Sequence, residues 1–165
     1  MAAASLFAAS EVEAQYKSTQ FGYEAGYRWI SNRTGLSSSA PFIGTRVGYR
    51  LSDNLWLSSR IGFDFRDQLV GEPLTVFLLH LTPLDARWYF TTDRFRPFLG
   101  LTTAFQFFLN GPLASANWGP GALGGFEARI FPDVFLGIQL EYEHMVSRRP
   151  RYGTFGAVTQ VNIFF

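Results

Sequence analysis

From Gln20 to the C-terminus, apolar and polar side chains trade places at every second residue, the period of pleated strands with two unlike faces. The first stretch sets Phe21, Tyr23, Ala25, Tyr27 and Trp29 against Gly22, Glu24, Gly26 and Arg28. The second sets Ile43, Thr45, Val47, Tyr49 and Leu51 against Gly44, Arg46, Gly48 and Arg50. In the third, Leu55, Leu57, Ser59, Ile61, Phe63 and Phe65 oppose Ser58, Arg60, Gly62, Asp64 and Arg66. Leu84, Ala86, Trp88 and Phe90 then oppose Asp85 and Arg87, and Leu99 to Phe107 oppose Gly100, Thr102 and Gln106. Ala122, Phe126, Ala128 and Ile130 face away from Gly125, Glu127 and Arg129, as Leu136 to Tyr142 do from Gly137, Gln139, Glu141 and Glu143. A last stretch alternates Phe155, Ala157, Val161, Ile163 and Phe165 with Gly156, Gln160 and Asn162, so eight strands are predicted.

The connections alternate in length. Tight turns are expected at Ser52–Asn54, Thr91–Phe95 and Pro132–Asp133. Longer loops rich in Ser, Gly, Pro and Asn are expected at Ser31–Ala40, Asp67–Pro73, Leu109–Asn117 and Val146–Arg151. This rhythm predicts an all-β, eight-stranded antiparallel up-and-down barrel, and its short-turn, long-loop asymmetry is that of transmembrane barrels.

The placement of charge decides which face lies inside. Seven basic residues (Arg28, Arg46, Arg50, Arg60, Arg66, Arg87, Arg129) and six acidic ones (Glu24, Asp64, Asp85, Glu127, Glu141, Glu143) fall on the polar stripes. No charge falls on an apolar stripe. Were the apolar stripes central, as in a soluble barrel, eight strands would have to enclose over a dozen aromatic rings. An eight-stranded interior has no room for them. Turned the other way, the rings meet lipid and the charges form a lumen ion-pair network, with glycines leaving space for long arginines. The fourth strand resists simple counting, because stepping back from Phe90 would put His80 in lipid. A bulge at Pro83, which cannot donate a ladder hydrogen bond, would switch the parity and turn His80 inward, with Leu79 and Leu81 outward.

Composition narrows the function classes. The 165 residues carry 14 Lys+Arg against 13 Asp+Glu, a balance that offers nucleic acid no attractive field. There is no cysteine and there are two histidines, too few for thiol chemistry, disulfides or a histidine-built metal centre, and no cofactor is expected. No apolar run is long enough for a transmembrane helix. Residues 2–14 read either as the end of a secretory signal peptide, with Val12-Glu13-Ala14 before Gln15 as the cleavage context, or as a plain tail. The expected division is thus a tail over 1–19 and a barrel over 20–165.

The chain closes on Val161-Asn162-Ile163-Phe164-Phe165. That ending resembles the last strand of Gram-negative outer-membrane barrels, and the eight-strand pattern resembles the OmpA/OmpX-like superfamily of small barrels. Arg96-Pro97-Phe98-Leu99-Gly100-Leu101 is similar to a strand common in that group. The resemblance implies a bacterial outer-membrane location with both termini periplasmic, and a terminal Phe165 read by the barrel-assembly machinery. It also implies contact with outer-membrane lipid and lipopolysaccharide, and a role as structural element, anchor or adhesin. A few relatives modify lipid A, which makes a deacylase or acyltransferase the alternative.

Candidate chemistry is sparse. His144, with Glu143 beside it and Ser147 three residues on, invites comparison with the His, Ser and Glu set of PagL-like lipid A deacylases. Those enzymes place Ser two residues after His, and the pleat puts Glu143 and His144 on opposite faces. The inner carboxylates, surrounded by arginines, read as structural ion pairs rather than acid/base pairs. Arg148, Arg149 and Arg151 form the basic cluster of the last loop and suit lipopolysaccharide phosphates. The Asn32-Arg33-Thr34 sequon is a chance match. Two aromatic girdles are expected: Trp29, Phe42 and Trp118 near one end, and Trp88, Phe90, Phe131 and Phe165 near the other. The short loops favour a role in the membrane plane, including association with a larger envelope complex.

Overall fold

The structure, a computed structural model, describes residues 17–31, 38–67, 75–109, 116–146 and 151–165. Eight strands follow one another: β1 (Thr19–Ile30), β2 (Ser39–Arg50), β3 (Leu55–Asp67), β4 (Thr75–Tyr89), β5 (Phe95–Phe108), β6 (Ala116–Phe131), β7 (Val134–Met145) and β8 (Tyr152–Phe164). Each pairs antiparallel with the next, and β1 pairs with β8, from Gln20 opposite Phe164 to Ile30 opposite Thr154. The sheet closes on itself and leaves no free edge.

The three short turns, β2–β3, β4–β5 and β6–β7, lie at the end that carries Thr19 and Phe165, called here the terminal end. The backbone N–H of Thr19 donates to the Phe165 carbonyl at 3.3 Å and that of Phe165 to the Thr19 carbonyl at 2.9 Å, tying both chain ends into one rim. Local polar bonds shape the turns. The Ser52 hydroxyl accepts from the Leu55 N–H at 3.2 Å, and the Asn54 amide donates to the Tyr89 carbonyl at 2.6 Å. The four longer connections lie at the opposite, loop end and are largely outside the described residues. Some strands run further than alternation alone indicated: β2 begins at Ser39 and β6 at Ala116, both inside expected loops, and β4 reaches back to Thr75.

Strand β4 bears the expected irregularity. Ser58 is opposite Asp85 and Arg60 opposite Thr82, so Pro83 and Leu84 together face the single residue Ser59. Both point outward, the Pro83 carbonyl accepts the Ser59 hydroxyl at 2.7 Å, and the parity switches across the bulge. Leu81 therefore faces out, Leu79 stays on the outer face at intermediate burial, and His80 is buried inside. A second irregularity in β6, between Arg129 and Phe131, sits next to the β6–β7 turn.

Along all eight strands the described outward positions carry no Lys, Arg or Glu, and the one Asp is Asp67, the last residue of β3. Leu101 (70%), Phe131 (66%) and Val47 (59%) are among many apolar side chains that the outer wall leaves uncovered. Contiguous apolar surface on this scale is foreign to a monomer in water, where patches rarely exceed a few hundred Å².

Candidate functional site

The lumen is built in three tiers. Its middle holds side chains that ordinarily avoid the interior of a protein: Arg28, Arg46, Arg60, Arg66 and Arg87 are essentially fully buried, with Glu24, Asp64, Asp85, Glu127, Glu141 and Glu143 among them. Each carboxylate faces at least one guanidinium. Glu141 accepts from Arg28 and, at 2.5 Å, from Arg60. Glu143 lies 3.2 Å from Arg28 and 3.4 Å from Arg60. Glu24 pairs with Arg46 and, at 3.4 Å, with Arg60, while Asp85 pairs with Arg46 at 3.4 Å. Asp64 accepts from Arg66 at 2.8 Å. Amides complete the lattice. Gln160 accepts from Arg46 at 2.6 Å, Gln139 accepts from Arg87, and Gln106 donates to Glu143 at 3.1 Å.

His80 is locked into this lattice by its neighbours. A guanidinium only donates and a carboxylate only accepts, so the 2.9 Å contact from Arg28 Nη1 makes Nδ1 the acceptor. The proton then sits on Nε2 and is donated to Asp64 at 3.1 Å.

Two apolar clusters bracket the charged tier. At the loop end Ile30, Val76, Leu78, Ala104, Phe108, Met145 and Tyr152 pack together, and at the terminal end Trp56, Tyr89, Phe98, Leu123, Phe135 and Phe164 do so. Alternation already contained these residues. Trp56 shares the parity of Ser58, Phe98 that of Gly100, Phe135 that of Gly137 and Phe164 that of Asn162, so the polar stripes turn apolar beyond their charged centres.

Three placements differ from the expectations. Phe42 does not join a lipid-side girdle; it lies in the lumen, with the Arg28 guanidinium 4.3 Å from its ring centroid and His80 edge-on at 5.6 Å. Gly44 and Gly62, paired across β2 and β3, supply the slot, since a Cβ on either would run into the ring. The other girdle residues, Trp29, Trp118, Trp88, Phe131 and Phe165, are exposed on the outer wall, as is Phe90 just past β4. Second, Arg50 and Arg129 are not members of the central network. They are only partly buried at the terminal mouth, where Arg50 pairs with Asp53 of the β2–β3 turn at 3.8 Å. Third, Arg96, expected outside the lumen network, is inside. It reaches Glu127 at 2.7 Å, and its guanidinium carbon lies 3.7 Å from the Phe135 ring centroid and 4.5 Å from that of Phe164. With these changes the buried charges of the described lumen come to six arginines against six carboxylates.

The candidate enzymatic residues do not converge. Glu143 is buried and committed to Arg28, Arg60 and Gln106, whereas His144 is exposed on the opposite side of the wall. Ser147, Arg148 and Arg149 lie outside the described residues, as do the Asn32–Thr34 sequon and residues 1–16; Arg151 is exposed just before β8. Among the described residues no three His, Asp or Glu side chains are arranged to hold a metal ion.

No family model matches this sequence, and no curated protein does. Solved structures match over nearly the whole chain. Neisserial surface protein A is similar at 18% identity over 89% of this chain and 97% of its own, with a TM-score of 0.68. The fold is that of the small outer-membrane β-barrels. The N-terminal barrel domain of Pseudomonas aeruginosa OprF is similar at 18% identity, TM-score 0.62, over 90% of this chain and 99% of that domain. The outer membrane enzyme PagL is also similar, at 13% identity, TM-score 0.53, over 87% of this chain and 98% of its own. The same barrel thus carries an enzyme in one neighbour and a surface protein in another, and the architecture alone does not assign a role.

Proposed function

We propose that this chain is an integral protein of the bacterial outer membrane with a structural, anchoring or docking role, both termini in the periplasm and no open pore. One observation carries the reading: the barrel is turned inside out relative to a soluble one, with apolar side chains on the outer wall and a dense ion-pair lattice within. Only a hydrocarbon surround makes such a wall stable. The likeness to outer-membrane barrels supports the location, and the filled interior argues against conduction.

The partners follow from the surfaces. Lipid covers the outer wall, and the aromatic rings near its two ends suit the headgroup levels. With the loop end outside the cell, the basic sequence cluster of Arg148, Arg149 and Arg151 has the chemistry to bind lipopolysaccharide phosphates. Phe165 would be read by the barrel-assembly machinery during insertion. Docking within the membrane plane, against a larger envelope complex, uses the aromatic outer wall. Lipid A chemistry is the weaker reading because Glu143 cannot orient His144.

Fractionation tests the location: the protein should pellet with outer membranes and need detergent for release, and recovery in the aqueous fraction would end the proposal. Reconstituted into planar bilayers it should give no stepwise conductance. Purification in mild detergent should bring down a stoichiometric envelope partner. Lipid A mass spectra should be the same with and without the protein.

A further inference from the structure

On the terminal half of the outer wall the surface recedes into a groove of about 390 Å³. Its floor is backbone, where Gly48 of β2 and Ser58 of β3 lie opposite each other and face the lumen. Two rows of outward side chains form its sides. Thr19, Tyr49 and Leu57, paired in that order across β1, β2 and β3, make the row nearer the rim. Val47, Ser59 and Leu84 make the deeper row. The groove has two local causes. Ser59 is the smallest outward side chain of β3, so the deeper row opens at its centre. The bulge sets both Pro83 and Leu84 against Ser59, and Leu84 closes the inner end. The lining asks for little polar company, since the Ser59 hydroxyl donates to the Pro83 carbonyl at 2.7 Å and the Thr19 hydroxyl to that of Phe165 at 3.3 Å.

Width decides what can lie there. Side chains two residues apart on one face of a strand stand about 7 Å apart, roughly twice the carbon–carbon contact distance of about 3.5–4.0 Å. One hydrocarbon chain fits between such rows. A helix, about 10–12 Å across with its side chains, does not. A second barrel, closed and edgeless, offers nothing narrower than a side chain. Length agrees: from Thr19 on β1 to Leu84 on β4 the groove crosses three interstrand steps, about 14 Å. Depth agrees as well. Leu57 lies opposite Ala86, one outward position inside the exposed Trp88, whose ring suits the headgroup level. The groove therefore starts just beneath the headgroups and descends toward mid-wall. We propose that it binds one acyl chain of a phospholipid from the leaflet at the terminal end. The inference rests on the membrane reading above, in which that leaflet is periplasmic. The chain lies between the two rows, ester end toward Thr19 and Tyr49 and methyl end toward Leu84. The Tyr49 hydroxyl donates to an ester or phosphate oxygen of the same lipid. Hydrocarbon supplies no hydrophobic drive against hydrocarbon, so the site holds its chain by dispersion contact with rigid strands and by that hydrogen bond.

The test uses the full chain with labelled Val and Leu methyl groups, followed by NMR. It is held in micelles of a fluorinated detergent, whose chains mix poorly with hydrocarbon and leave the groove open. Dioleoyl phosphatidylethanolamine is the titrant. The Val47 and Leu84 methyls should shift saturably with one lipid per barrel, while Leu136 and Leu140 on the far wall should not. Ser59→Phe fills the groove and should weaken binding about tenfold, the loss of some ten atom contacts. Thr159→Phe, which adds a ring to the outer wall of β8, should leave binding unchanged. Tyr49→Phe keeps the ring and should weaken binding about fivefold, the worth of one hydrogen bond; it decides the matter if Ser59→Phe does not fold. Shifts that appear equally on both walls, that never saturate, or that survive both groove variants overturn the site. Self-association without lipid that Ser59→Phe abolishes also overturns it and gives the groove to a second copy. A chain that pellets with outer membranes yet shows no saturable shift sinks the groove alone. Recovery in the aqueous fraction sinks the membrane reading and the groove with it.

Discussion

Arg60 and Ile61 are chain neighbours, and the two sides of the wall they face follow opposite rules. Inside, Arg60 is held by Glu24, Glu141 and Glu143, and each partner is shared with at least one further arginine. Outside, Ile61 needs only to be apolar, because lipid asks for no particular shape. The inner side is therefore specified pair by pair and the outer side by polarity alone. A lattice of buried ions stabilises little compared with an apolar core of the same volume, but breaking one member leaves uncompensated charge.

The contrast can be broken most forcefully from inside. Glu141→Ala takes a shared carboxylate from Arg28 and Arg60, leaving the buried lattice one negative charge short, and should destabilise the barrel by about 3–5 kcal/mol, with Glu141→Gln recovering little of it, as read by urea unfolding in lipid vesicles. If the amide restored full stability, charge would not be what the middle tier requires. From outside, Ile61→Arg places near mid-wall the residue type that suits position 60, and should cost about 2–4 kcal/mol in the same assay; a neutral outcome would reverse the assignment of faces. Gly62→Ala pushes a methyl into the Phe42 ring and should cost about 1–3 kcal/mol through overpacking, while Phe42→Leu in the Gly62→Ala background should recover part of the loss. Phe164→Leu in the terminal cluster stays apolar but loses the ring's edge-on contacts with Trp56 and Phe135 and its place beside Arg96, and should cost about 1–2 kcal/mol. A larger loss would mean that this end is as strictly specified as the middle. Smallest of all, Lys17→Ala removes a rim ion pair that water screens and should shift stability by no more than about 1 kcal/mol.

Much of this architecture was legible before any coordinates. Alternation reports which side of a wall a residue faces, and it did so for the strands and, once Pro83 was allowed a bulge, for His80. It does not report depth. Arg50 and Arg129 share the parity of the network but stand at strand ends beside turns, so they reach the mouth instead of the middle. Arg96 shares the parity of Phe98 and Gly100, but it stands at the start of β5 beside a turn, where alternation does not tell a lumen residue from a rim residue. Phe42 was misplaced because a ring near a strand end suggests a girdle. Its inward parity with Gly44 and Arg46, and the space left by Gly44 and Gly62, carried the better signal.

The closure between β1 and β8 has a consequence for how the molecule is made. Glu24 and Arg28 of the first strand find their partners on β2, β3 and β7, and Gln160 of the last strand takes Arg46. An unzipped sheet entering a bilayer would carry Arg28 into oil with Glu141 and Glu143 of β7 still distant. Closing the seam between β1 and β8 is thus what brings the Arg28 guanidinium to its carboxylates, so barrel closure and charge compensation are one event for that residue.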